Sequence, residues 1–318
     1  MKGFAYRIDP ARADRVDIAE ALNPVAELVW VHLFSIDDDA RSWLADHARL
    51  SPQVVEALTA PETRPRCDQW EEGALVNLRG RTAEESTPSA DPLASLRIWA
   101  TRGRVFSVTR TQLCALGAIE ECVGADRIHD PGDLIAEFAT AITSDLDPHV
   151  AELGDRLDVC EEQLDSAKIF ELRRQVTRVR STAIGYRRFL QPQRDALEKL
   201  AHLPGDWLAD DDRVHLSAAA DRAARMAEEL EAIRERSAVV HDALTDMRAE
   251  QLDQRGLVLS VAALIFLPLT FITGLYGMNV EGLPYATRPW AFDAIALGCL
   301  LIAVAISAFF VVRRWTSR

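Results

Sequence analysis

Near the end of the longest uncharged run in this chain stand Gly274, Gly277, Met278 and Asn279, followed at once by Val280 and Glu281. A hydrophobic helix leaving a bilayer ordinarily ends in Lys, Arg, Trp or Tyr at the headgroups. Glycines and an unwound turn instead expose backbone carbonyls, which membrane depth tolerates only where they line a cavity or are buried in protein. The Asn279 amide adds a neutral oxygen that can hydrogen-bond the water shell of an ion without stripping it. That matters for Mg2+, which gives up water reluctantly. Neutral oxygens also release what they bind, as conduction requires. The chemistry expected of Gly277, Met278 and Asn279 is a selectivity filter holding a hydrated cation at Asn279. Glu281 would be an anionic outer entrance.

A second set of residues leads toward that turn. Asp253, Gly256, Ser260, Ala263, Leu267, Thr270 and Gly274 follow one another in steps of three and four, the spacing of one helix face. Continued backward, the stripe reaches Ala249, Asp246 and Asp242. Lipid has no use for Ser, Thr and Asp. Two readings stay open: a close helix–helix contact through small residues, or the lining of a pore with Asp242 and Asp246 in a cytoplasmic funnel. Two spans cannot enclose an aqueous path, so a pore requires several copies around a symmetry axis.

The elements that must position these residues follow from where charge is missing. Gly256 to Val280 are uncharged, and so are Ala294 to Val312. Each run can cross a hydrocarbon core of about 30 Å at roughly 1.5 Å per residue. Arg248 and Arg255 precede the first span, Arg313, Arg314 and Arg318 follow the second, and the connection holds only Arg288. By the positive-inside rule both termini are expected in the cytoplasm. The opening MKGFAYRIDPARADRVD is charged throughout and has no apolar core, so the N-terminal domain is expected to stay where it is made.

Net charge is −13, from 36 basic and 49 acidic residues. Five and three of these follow residue 250, which leaves 31 and 46, or −15, on the first 250 residues. That argues against nucleic acid and suits either ordinary acidic solubility or a surface that gathers cations. The five cysteines include no CxxC pair and are expected as free thiols. No Walker or Rossmann glycine pattern and no Ser-His-Asp or Cys-His arrangement is present. Neither an enzyme nor a bound cofactor is expected.

Before the spans, Val25–Ile36, Gly73–Gly80, Leu93–Ala100 and Arg104–Thr111 read as strands, the last two forming a hairpin around Thr-Arg-Gly. Ser35 with Asp37 to Asp39 caps a helix through Trp43, and Pro52 opens another. Glu84–Pro92 reads as a loop. From Pro131 the pattern is helical, with breaks expected near Ser166 and near Pro192 or Pro204. A third helix begins near Asp210 and meets no Gly or Pro before Gly256, where it becomes the first span. Its seam Leu216, Ala219, Ala223, Met226, Leu230, Ile233, Ser237, Val240, Leu244, Met247 predicts packing against the preceding helical hairpin.

With YGMN closing the first of two C-terminal spans, a short connection and an RRW tail, the chain resembles the CorA superfamily of divalent-cation transporters. PETRPRCDQWEEGALVNLRG (Pro61–Gly80), DPLASLRIW (Asp91–Trp99) and the Asn-x-x-Gly-x-Pro of NVEGLP are similar to the ZntB-type zinc transport proteins within it. Tyr285 follows Leu-Pro where magnesium channels of the superfamily carry an acidic residue. The resemblance spans the whole chain and implies an α+β cytoplasmic domain, a long-helix stalk and two transmembrane helices in a CorA-like funnel. That funnel is a homopentamer. The implied divisions are a cytoplasmic α/β domain over 1–140, helical hairpin and stalk over 141–255, and the pore-lining first transmembrane helix over 256–280. An external loop over 281–292, a second transmembrane helix over 293–312 and a basic tail over 313–318 complete it. The implied partners are four further copies, the bilayer of the cell inner membrane, and transported Zn2+, with Mg2+, Co2+ or Ni2+ as alternatives. Proton-linked uptake is implied for the zinc branch. Two rivals remain: a magnesium/cobalt channel, and a tethered interaction protein that passes no ions.

Overall fold

A computed structural model of the chain describes all residues except 1, 11, 24–25, 35–36, 61–63, 84–92, 166–167, 279–282, 286–287 and 317–318; side chains at 311 and 313–316 are likewise left aside. It divides into two compact units, Met1–Gln163 with Glu171–His241, and Leu164–Phe170 with Asp242–Arg318.

The first unit is built on a seven-stranded sheet in the order β2-β1-β3-β7-β6-β5-β4. The strands are β1 (Gly3–Asp9), β2 (Arg12–Val16), β3 (Leu28–Leu33), β4 (Arg66–Trp70), β5 (Gly73–Arg81), β6 (Leu93–Thr101) and β7 (Arg104–Val108). Among the described strands, only β3 and β7 pair in parallel. Every residue of β3 is buried, as expected of a central strand covered on both faces. The expected hairpin forms between β6 and β7, closing at Thr101 opposite Arg104. Gly103 takes a φ of 73° in its turn, where a side chain would be strained.

One face of the sheet lies under α1 (Asp38–Ser42), a π-helical turn (Trp43–His47) and α2 (Pro52–Thr59). Val29, Val31, Trp99, Phe106 and Val108 join Trp43, Leu44, Val54 and Leu58 in one core cluster there. Asp37 caps α1 by accepting from the Ala40 amide at 2.8 Å, and Pro52 stands in the first turn of α2. The other face carries Trp30, whose ring meets Phe138 edge-on at 5.6 Å. Phe138 belongs to α4 (Pro131–Glu162), which packs with α3 (Ala115–Gly124). The turn preceding α4 is tied by Asp130, which accepts from the Asp133 amide at 2.9 Å.

Helices α5 (Ile169–Ala201) and α6 (Asp210–Tyr276) follow. Pro192 was expected as a possible break, yet it lies inside α5. Leu190, Ala196, Leu197 and Leu200 are buried on either side of it, and packing of that extent outweighs the ~3 kcal/mol cost of an interior proline. Pro204 does lie between helices. The expected seam of α6 is buried from Leu216 to Leu244, with exposures of 0–5%. Arg222 donates to Thr143 of α4 at 2.9 Å, Arg236 to Glu161 of α4 at 3.1 Å, and Arg187 of α5 pairs with Glu231 at 3.0 Å. The hairpin of α4 and α5 is the partner that the seam required.

Strands β1, β2 and β4 were not expected. Val25, Ser35, Ile36 and the Glu84–Pro92 loop lie outside the described residues. All five cysteines are free thiols. In the second unit, α6 runs on to Tyr276, and α7 covers Ala291–Thr316. By length and composition, both helices can cross a membrane.

Candidate functional site

The uncharged half of α6 has two unlike faces. Val261, Ala262, Ile265, Pro268, Leu269, Ile272 and Tyr276 are half-buried. Asp253, Gly256, Ser260, Ala263, Leu267, Thr270 and Gly274 are all exposed. At 100° per residue, the first set points about 180° away from the second. The stripe therefore occupies the face that this chain leaves farthest from cover. Exposed Leu257, Leu264, Phe271 and Leu275 run along one flank, with Leu259 and Phe266 along the other. On α7 the half-buried positions Ile295, Gly298, Cys299, Ile302, Ala303, Ile306 and Phe310 also fall on one face. Cys299 is among them.

Among the described residues, nothing demands glycine on the stripe. A Cβ at Gly256 or Gly274 would meet no atom within 4 Å. Ser260 donates to the Gly256 carbonyl at 2.8 Å and Thr270 to the Phe266 carbonyl at 2.8 Å. With its one proton satisfied inside the helix, each hydroxyl oxygen turns lone pairs outward, ready to accept from water. Pro268 lacks an N–H, so the Leu264 carbonyl has no helical donor at i+4. Ser260 and Thr270 thus set two acceptors on that face among small and apolar side chains.

At the end of α6 the Gly277 amide donates to the Thr273 carbonyl at 2.8 Å, the last bond of the helix. A Cβ at Gly277 would stand 3.0 Å from that carbonyl oxygen, so the turn is tight enough to favour glycine. Met278 follows, exposed. Asn279 and Glu281 lie outside the described residues. Asp242 and Asp246, placed in a funnel by the sequence, are exposed on α6.

Sequence reasoning missed two features of the first unit. Carboxylate oxygens of Asp130, Asp133 and Asp212 lie within 4.8 Å of one another where α4 and α6 begin. Asp212 is 2% exposed and accepts from the Ala209 amide at 2.8 Å. Burial first, then repulsion from Asp130 and Asp133, pushes its pKa up to about 7, so it tends to keep its proton. Gly132 leaves room for it: a Cβ there would be 2.0 Å from the Asp212 carboxylate. The spacing from 133 to 212 gave no signal of this meeting. The other feature is His32, a core residue between Ser107 and Thr109 at 2.8 and 3.2 Å. Burial lowers its pKa to about 3, which keeps the ring neutral.

Residues 25–314 match the family model described as CorA-like Mg2+ transporter protein. The divalent cation transporter CmaX of Pseudomonas aeruginosa is 33% identical over 294 residues, covering 91% of this chain and 87% of that one. The zinc transport protein ZntB of Pectobacterium atrosepticum is 29% identical over 278 residues, 87% of this chain and 84% of the relative. The solved structure of full-length CmaX superposes with a TM-score of 0.75 at 31% identity, covering 98% of this chain and 97% of that one. These likenesses agree with the arrangement of sheet domain, long helix and two apolar C-terminal helices found above. The chain belongs to the CorA-like Mg2+ transporter family.

Proposed function

We propose that the chain is a divalent-cation transporter of the cell inner membrane, that zinc is its preferred cargo, and that five copies surround one axial pore. The observation that carries this reading is the acceptor-bearing stripe of α6, set opposite the face that is half-buried within the chain. In the ring, Ser260, Thr270 and the glycines face the axis and Leu267 narrows it. Asp253, Asp246 and Asp242 attract cations on the cytoplasmic side, where both termini lie. Gly277, Met278 and Asn279 form the outer filter behind Glu281. Zinc generally favours His and Cys ligands, and the stripe has neither. Zinc therefore passes largely hydrated, and discrimination against Mg2+, Co2+ and Ni2+ is poor.

Similarity to ZntB supports zinc, and the family description supports a magnesium/cobalt channel as the second reading. The test is uptake of Zn2+ and Mg2+ side by side into proteoliposomes, with and without an imposed pH gradient. Zinc entry that Asn279→Ala changes about tenfold, the effect of one interaction of ~1.4 kcal/mol, is the expected result. Acceleration of that entry by the gradient would establish proton linkage. Magnesium entry without zinc entry selects the second reading. Equal flux in wild type and variant removes Asn279 from the path, and no flux of any cation leaves only a membrane tether.

A further inference from the structure

Three acidic side chains meet where α4 and α6 begin, and the most buried of them touches the backbone of the other helix. Carboxylate oxygens of Asp130, Asp133 and Asp212 fall within 4.8 Å of one another. Asp212 lies so close to Gly132 of α4 that a Cβ there would overlap its carboxylate. One oxygen of each carboxyl already accepts a backbone amide. Asp133 donates to Asp130 at 2.9 Å, His129 to Asp133 at 2.9 Å and Ala209 to Asp212 at 2.8 Å.

The charged groups of every neighbouring element have places. Before α4, His129 stands 3.4 Å from Asp133 and 3.8 Å from Asp126, and Arg127 turns to Glu137 at 3.6 Å. In the connection from α5, His202 and Asp206 are exposed. On α6, Arg213 donates to the Ala201 and Leu203 carbonyls, both at 2.8 Å, and approaches Asp210 at 3.9 Å. His215 faces Asp211 at 3.5 Å. Burial first, then the charges of Asp130 and Asp133, pushes the pKa of Asp212 up to about 7. Asp212 and Asp133 also share a side-chain hydrogen bond, which two carboxyls form only with a proton between them.

The first turns of two helices carry partial positive charge, which suits carboxylates and opposes a metal cation. With one oxygen of each carboxyl already taken by an amide, a proton is the better fit. It needs no further ligand and cancels one of three neighbouring like charges. Carboxyls this close titrate as a unit rather than singly.

We propose that Asp130, Asp133 and Asp212 form a proton-operated clasp: one shared proton holds the first turn of α6 on the first turn of α4, and its loss on the approach to neutral pH frees that turn and the connection before it. The clasp does not depend on the ion pathway of α6, and its test does not read transport. Hydrogen exchange of full-length protein in detergent, corrected for the pH dependence of the exchange chemistry, measures the opening. Amides from 205 to 213 should exchange ahead of the seam from Ala219 to Leu244. Their protection should fall about tenfold per pH unit from about pH 5 to 7, the slope of one released proton, and level off above. Asp212→Asn, which donates without titrating, should remove that slope, and His129→Gln should keep it. If Asp212→Asn does not fold, Asp133→Asn decides, because loss of that charge should move the fall to lower pH. Exchange in step with the seam, protection indifferent to pH, a slope kept in Asp212→Asn or lost in His129→Gln, or an unmoved fall in Asp133→Asn would each overturn the proposal. Protection restored at neutral pH by Mg2+ or Zn2+ would overturn it as well, by making the trio a cation site.

Discussion

Helix α6 carries the same three-and-four spacing twice, with opposite outcomes. From Leu216 to Leu244 the spaced residues are apolar apart from Ser237, and the chain buries them at 0–5% exposure. From Gly256 to Gly274 they are small or hydroxylated apart from Leu267, and the chain leaves them all exposed. Periodicity alone says only that a face is used. Side-chain chemistry separates the two: large apolar groups find cover within the chain, whereas the acceptors and glycines are left exposed, with open space around Gly256 and Gly274. The comparison can be broken at several points, and the strongest test is on ion flux.

Thr270→Trp should nearly abolish cation uptake into proteoliposomes, because a ring of indoles would fill the axis at that level. The same change on the flank, Phe271→Trp, should leave most of the flux. Equal effects at 270 and 271 would mean that the stripe has no special role. Full flux in Thr270→Trp would end the pore reading of this face.

Stability separates the two halves in a different way. Leu230, fully buried, should cost about 2–5 kcal/mol on truncation to Ala. Leu267, 69% exposed in the chain, should cost no more than about 0.5 kcal/mol on the same truncation if it borders water. Thermal unfolding in detergent, followed by loss of helix signal, measures both. A cost at Leu267 comparable to that at Leu230 would assign the stripe to a tight helix–helix contact instead.

How legible each half was follows from the same chemistry. The seam, the start of α6 at Asp210 and the central strands β3, β5, β6 and β7 could be read because their apolar residues recur at the period of their element. Strand β2 (RADRV) has no buried residue, and β4 (RCDQW) buries only Cys67. These edge strands are held by backbone ladders that leave little trace in side chains. Pro192 misled because a proline's local cost is visible in sequence and the tertiary packing that overrides it is not. The meeting of Asp130 and Asp133 with Asp212 joins residues far apart in the chain, so no local pattern announces it. The stripe could be listed from sequence. Its position opposite the half-buried face required coordinates.

Asp212 tests how the buried half of α6 is started. An ordinary aspartate is deprotonated above about pH 4, whereas Asp212 holds its proton to about 7. Between those values the folded chain binds a proton that the unfolded chain has released, so stability must fall as pH rises from about 4 to 7 and level off above. At 1.36 kcal/mol per unit, and allowing for relaxation, the loss should be about 2 kcal/mol. Asp212→Asn keeps the shape without the proton and should flatten that window. A wild-type midpoint that rises over the same range would contradict the placement of Asp212.

The smallest effect concerns the one polar residue of the buried seam. Ser237 is fully buried, and its hydroxyl has no hydrogen-bond partner among the described residues. Leaving such a group unmade costs free energy, and removing it can be neutral or stabilising. Ser237→Ala should therefore raise stability slightly, by no more than about 1 kcal/mol. The same hydroxyl deletion at Ser260, where the group is exposed and bonded to Gly256, should leave stability unchanged and alter flux instead. That pair of outcomes would show one residue type serving packing in one half of α6 and the ion path in the other. A destabilised Ser237→Ala would mean that the seam hydroxyl is satisfied after all, and that the two halves differ less than their burial suggests.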